Sequence, residues 1–230
     1  MATGASIGIN FSSECGRILQ ADAFNLLDMI TVSIGSDNVR YPVHEDVIRK
    51  SSKFFDNAMK PEWANARPNP REVDLSDEEP KIFQIYLHCM YFKTLPSVHT
   101  TIATGWNPEY VQLGGCYVMG EKLMDTAFKN AVLTALADAI DNQPFYEAKY
   151  PGSKTIHTVY EGTTEDAPAR RMLVDIWVEL AGENWVKYLT SSLHHSFVLE
   201  FSRALLLSKC PGWTADTRSW KERVKDYYEE

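Results

Sequence analysis

The chain has 230 residues, 44% of them hydrophobic, and a net charge of −8, with a pI near 5.3 and a mean hydropathy of −0.29. This length fits one large domain, or one ordinary domain with a helical appendage, at about 100–200 residues per domain. The acidic balance argues against a nucleic-acid partner, because phosphate binding needs a concentrated basic face; the densest basic piece, RSWKERVK, reads as a solvated helix face and runs into the acidic DYYEE.

The opening MATGASIGINFSS has neither the basic start nor the apolar stretch of a signal peptide. No apolar run reaches the ~20 residues that cross a bilayer. Cys15, Cys89, Cys116 and Cys210 lie far apart without a C-x-x-C pair, which speaks against a disulfide framework and against zinc. Cys89 and Cys116 sit among apolar residues and read as buried thiols. A reducing compartment, cytoplasm or nucleus, is the expectation.

Residues 1–21 read as a flexible lead segment. In MITVSIG, Ile30, Val32 and Ile34 alternate with Thr31 and Ser33, the pattern of a half-buried strand. GSDN is a turn cluster, and Val39, Tyr41 and Val43 resume the alternation, so residues 29–43 predict a β-hairpin. Pro42 cannot donate to a ladder, which puts the second strand at a sheet edge. The period then changes. Val47, Ile48, Phe54, Phe55, Ala58 and Met59 follow helical spacing, with Ser51 or Ser52 as N-cap between two short helices. KPEWANARPNP is a loop, and REVDL a third short strand with Val73 and Leu75 on one face.

SDEEPKIFQIYLHCMYF predicts a helix with a Ser76–Glu79 capping box and Pro80 in its first turn. Two further helices follow: a stripe of Leu113, Cys116, Tyr117, Gly120, Leu123 and Met124, then Phe128, Val132, Leu136 and Ile140 behind an Asp125 N-cap. After the break at DNQPFYEAKYPGSK, helices are expected over 168–181, around Trp185 to Leu193, and over 195–208, with Trp220, Val224 and Tyr227 marking a charged tail. Trp177, Trp185, Phe197 and Phe201 read as a core packed on the first unit.

Enzyme motifs find no support. GASIG matches the letters of a nucleophile elbow, but only three residues precede Gly4, too few for the required strand. The acceptor-like NFS at Asn10 carries little weight without a secretion signal. Adjacent His194 and His195 diverge by about 100° on a helix and cannot share a metal as i, i+4 histidines do. His88 reads as packing. No cofactor or metal is expected.

The order hairpin, histidine, helix pair, short strand, acid-led helix and helix pair resembles the BTB/POZ domain. The residues that carry the resemblance are Asp28 before the first strand, YPVH at 41–44, SSKFFDNAM at 51–59, VDLSDEEPKIFQIYLHCMYFKTLP at 73–96, and YVMGEKLMDTAFKN at 117–130, whose wording is similar to the fungal branch. The resemblance implies an α+β fold: a short three-stranded sheet flanked by paired helices over 22–142, followed by an all-helical extension over 143–230. It implies that Asp28, His44, Ser52, Phe55 and Tyr91 are structural, with His44 packed beneath the first helix and its polar atoms meeting backbone. It also implies a non-catalytic protein-interaction module, an adaptor or scaffold whose partners are other proteins, a second copy in a homodimer, or a cullin of a ubiquitin ligase; a homo-oligomerisation scaffold for transcription or signalling is the alternative reading, and an unrecognised enzyme a remote one.

Three departures from the family pattern stand out. Glu45 replaces the usual basic residue after the histidine, Lys93 replaces the glycine of Tyr-x-Gly-x-Leu, and Asn65 stands where cullin-binding members carry the Glu of an apolar-x-Glu step. Trp63 remains as the apolar anchor of that step, and Trp63 with Phe55 and Met59 is the candidate partner surface, since tryptophan is enriched at binding hot spots.

Overall fold

The structure, a computed structural model, describes residues 27–99, 107–142, 150–180, 189, 191–208, 216 and 218–230. Cys15, Cys210, Trp185, the lead segment 1–21 and the GASIG and NFS motifs lie outside the described residues.

Strands β1 (Met29–Ile34) and β2 (Val39–His44) form the expected antiparallel hairpin, with Thr31 opposite Pro42. Asn38 and Gly35 take left-handed φ of 51° and 73° in the turn, conformations that Asn and Gly tolerate best. Strand β3 (Glu72–Leu75) joins the far side of β1 in parallel, giving the order β2-β1-β3. Pro42 is thus on an edge strand. Ser33, on the opposite face of the central strand from the core, is buried and donates to Glu72 Oε1 at 2.8 Å, so this buried polar group keeps its hydrogen bond.

His44 ends β2 and stands as N-cap of α1 (Glu45–Ser51). Helix α2 (Lys53–Ala58) starts at Ser52, whose Oγ accepts from the Phe55 N–H at 3.2 Å; of the two serines proposed as cap, Ser52 serves. Helix α3 (Pro61–Ala64) is a single turn begun by Pro61. The structure corrects the start of α4 (Pro80–Phe92). Residues 76–79 form a turn, Glu79 is extended at φ −84°, ψ 123°, and Pro80 is the first helical residue. Proline disfavours helical backbone in the residue before it, which overrides the Ser76–Glu79 capping box. At the other end, Lys93 has φ 56°, ψ 24°, and its N–H reaches the Cys89 carbonyl. The substitution of lysine for the family glycine leaves the left-handed C-cap in place.

Helices α5 (Pro108–Leu123) and α6 (Thr126–Asp141) form the expected pair, with Asp125 capping α6 through the Phe128 N–H at 2.9 Å. Met124, assigned to the buried stripe by its spacing, is instead the C-cap of α5, left-handed at φ 50° and 43% exposed. A helix at α7 (Ser153–Gly162) was not expected; it buries Thr155, Ile156, Val159 and Tyr160 and meets α5 at Gly114, where a Cβ would lie 3.4 Å from Thr155 Cγ2. Helix α8 (Pro168–Leu180) and helix α9 (His195–Ser208) complete the extension. Trp177, Phe197 and Phe201 are buried there, with Trp177 edge-on to Phe197 at 5.2 Å and its Nε1 donating to the Pro151 carbonyl. A single hydrophobic cluster runs from Ile30 to Tyr227. The charged tail is not a solvated helix face: Trp220 and Tyr227 are buried, and Val224–Tyr227 makes one 3-10 turn against α6 and α8. Among the described residues no helix is long and apolar enough to cross a membrane.

Candidate interaction surface

Helices α2 and α3 are short because their sequence allows nothing longer. Ser52 restarts the chain after α1, and Lys60-Pro61 ends α2 and begins α3 in one step. The single turn of α3 has one buried residue, Ala64, and its backbone closes through Ala64 N–H to the Lys60 carbonyl at 2.8 Å. Trp63 therefore points away from the core and is 65% exposed. It overhangs a groove of about 470 Å³ lined by Phe54, Ala58, Arg67, Val73 and Met124.

Arg67 fixes the loop behind this groove. Its guanidinium donates to the Ala58 carbonyl at 2.9 Å and to the Pro70 carbonyl at 2.8 Å. These bonds tie the end of α2 to the approach to β3, so part of the groove lining is held by backbone contacts. Met124 reaches the groove because its left-handed backbone turns it out of the α5 stripe. Two of the residues grouped with Trp63 by sequence do not share its surface. Phe55 is fully buried and Met59 is 8% exposed. The period of α2 carries both toward the core, and Phe54, half-buried and edge-on to Phe55 at 5.2 Å, is the phenylalanine that meets the groove. Phe54 and Met124 were missed as groove residues; only the helical register of α2 carried a signal for the first, and the C-cap conformation that exposes the second left none.

A chain of ion pairs links α1, α2 and the approach to β3. Arg49 contacts Glu45 at 3.0 Å and Asp56 at 2.9 Å, and Arg71 reaches Glu45 at 3.1 Å. Burial works to lower the Arg49 pKa, but its hydrogen bonds to Asp56 and Glu45 outweigh this and hold it above the ordinary value. Glu45 is thus the shared acceptor of two arginines, which accounts for an acid where the resembled family has a base.

The remaining expected structural residues fall as follows. The Asp28 carbonyl accepts the Glu45 N–H at 2.9 Å, closing the hairpin onto α1. Ser52, fully buried, donates to the Leu123 carbonyl at 2.5 Å. His44 departs from its expected role. It is half-buried rather than packed beneath α1, and its partner is a side chain: Tyr91 Oη accepts the His44 N–H at 3.1 Å and lies 2.8 Å from Nδ1. Tyr91 comes from the last turn of α4, so the pair joins the hairpin end to that helix. A hydroxyl that accepts from the backbone still has its own proton for Nδ1, so one tyrosine serves both the His44 N–H and the ring.

Chemistry elsewhere is muted by burial. Burial pushes the Cys116 thiol up to about 12 and raises Cys89 as well, so neither thiolate is available as a nucleophile near neutral pH. Among the described residues no group of three or more His, Cys, Asp and Glu side chains could hold a metal ion. What the arrangement offers is an exposed aromatic beside an apolar groove on a rigid frame.

No curated protein matches the chain. Residues 22–104 match the model of the BTB/POZ domain family, a stretch that holds the sheet, helices α1 to α4 and every named residue of the Trp63 groove but Met124. Residues 22–104 are thus similar to the BTB/POZ domain, a protein–protein interaction module, and a helical extension packs behind them.

Proposed function

We propose that this chain is a non-catalytic adaptor that docks a protein partner on the Trp63 groove. The observation that carries the reading is the 65% exposure of Trp63 at a largely apolar groove whose lining Arg67 pins to the backbone of α2. A large aromatic anchor gains most when a partner covers it and excludes water. The wording of residues 117–130 is similar to the fungal branch of the family, and the reducing environment suggested by the scattered cysteines fits the cytoplasm or nucleus.

Within this reading, the partner is the cullin of a ubiquitin ligase, because Trp63 occupies the apolar position of the apolar-x-Glu step. A second reading, a scaffold that self-associates without cullin, is favoured by Asn65, which is exposed at the end of α3 without the carboxylate of that step. Titration of the full chain with a purified cullin N-terminal region separates them. The adaptor reading expects binding that weakens at least tenfold in Trp63→Ala and strengthens in Asn65→Glu. No binding by any of the three proteins, together with a dimer or larger species in light scattering, supports the scaffold. No binding and a monomer would remove both.

A further inference from the structure

Glu229 meets three side chains of helices α5 and α6, those of Tyr117, Lys129 and Asn130, and the contacts have the character of peptide recognition. Asn130 reads its backbone at two points: Nδ2 donates to the Glu229 carbonyl at 2.9 Å, and Oδ1 accepts the Glu229 N–H at 3.0 Å. Such a clamp fixes the direction and register of a segment whatever side chain it carries. The side chain is read separately. Lys129, 5% exposed, pairs with Glu229 and, at 3.3 Å, with Glu121. Tyr117 donates to Glu229 Oε1 at 3.1 Å. One turn beyond Asn130, the Thr134 hydroxyl bonds the hydroxyl of Tyr228. Residues 130 and 134 share a helix face, and Tyr228 is extended at φ −69°, ψ 143°, the conformation in which a segment can lie along that face.

The lysine is the telling part. A buried ammonium is retained only where partners satisfy it, and one of the two carboxylates here comes from 100 residues away in sequence. The slot is thus built around an acidic residue preceded by tyrosine.

We propose that Tyr117, Lys129, Asn130 and Thr134 form a recognition site for an extended Tyr-Glu segment, filled in cis by Tyr228 and Glu229, which a Tyr-Glu segment of another protein enters by displacing them. This site is separate from the Trp63 groove and stands whether or not that groove docks a partner.

The test uses the full chain carrying Tyr228→Ala and Glu229→Ala, with a fluorescein-labelled peptide of residues 224–230, VKDYYEE, as probe. The expected result is saturable binding by fluorescence anisotropy, at least tenfold tighter than to the unaltered chain, and lost on adding Asn130→Ala. Equal binding to the altered and unaltered chains, no binding to either, or binding that survives Asn130→Ala would overturn the proposal. If circular dichroism shows the altered chain unfolded, amide exchange on the unaltered chain decides. Excess VKDYYEE should speed exchange of the Glu229 amide, and a scrambled peptide should not; exchange unchanged by VKDYYEE counts against the site.

Discussion

Ser51, at the end of α1, donates a hydrogen bond to Asp125, the N-cap of α6, across 74 residues of sequence. The same carboxylate accepts the Tyr86 hydroxyl at 3.1 Å and the Phe128 N–H at 2.9 Å. One buried acid therefore holds the α1–α2 junction, α4 and α6 together. Replacing Asp125 with alanine removes a helix cap, worth about 1 kcal/mol, and strands the buried Tyr86 hydroxyl, at about 1–3 kcal/mol. The expected loss is about 2–4 kcal/mol by chemical denaturation, and Asp125→Asn, which keeps an acceptor, should recover part of it.

Lys93 and the left-handed backbone it occupies give a prediction of opposite sign. A residue with a Cβ at φ 56° costs roughly 1–2 kcal/mol, partly offset by the entropy that glycine loses on folding. Lys93→Gly should therefore raise stability by about 0.5–1 kcal/mol, read as a higher melting temperature with the slope of unfolding against denaturant unchanged.

Phe55 and Trp63 should separate stability from binding. Phe55→Ala empties a fully buried site and should cost about 3–5 kcal/mol. Trp63→Ala alters an exposed side chain and should move stability by less than about 1 kcal/mol. Equal destabilisation by the two would mean that Trp63 is part of the core.

The chain should unfold in alkali. Burial, the foremost cause in each case, raises the phenol pKa of Tyr86, Tyr117, Tyr160 and Tyr227 above the ordinary value of 10.0. Between that value and the folded-state pKa the unfolded chain has released these protons and the folded chain has not. The stability they contribute is fully present below about pH 10 and is lost as pH rises beyond it. Absorbance near 295 nm should show the more exposed tyrosines ionising first, and these four only together with loss of the far-ultraviolet circular dichroism signal. Ionisation of all tyrosines in one smooth step with the fold intact would contradict their placement.

The sheet and the Asp125 cap of α6 were legible in the sequence because each rests on local chemistry. Alternation from Ile30 to Ile34, an edge proline at 42, and a capping Asp125 ahead of Phe128 need no tertiary information. The start of α4 misled because two local rules conflicted, and the steric demand of Pro80 on Glu79 prevailed over the cap at Ser76. Helix α7 was hidden by its approach, where Pro151 and Gly152 extend the look of a loop up to Ser153. The tail misled for a different reason. Trp220 and Tyr227 are separated by charged residues that suggest a solvated face, and those charges are in fact spent on distant partners: Arg223 on Asp175 and Glu179, Lys221 on Asp141. Of the candidate surface, Trp63 could be picked out as the residue in a proline-bounded turn with least reason to be buried. Phe55 and Met59 could not be separated from Phe54 without knowing which face of α2 meets the sheet. His44 was recognisable as structural, but its partner Tyr91 lies 47 residues away, and nothing local in YPVH names it.

Docking of a protein partner rests most on Trp63. The direct measurement is affinity capture from the source organism with the unaltered chain and with Trp63→Ala, both shown to melt within a few degrees of each other, with bound proteins quantified by mass spectrometry. A hot-spot tryptophan is worth at least about 2 kcal/mol, so at least one specific partner should fall more than about tenfold in the variant. Recovery of the same proteins in the same amounts by both chains would contradict the claim.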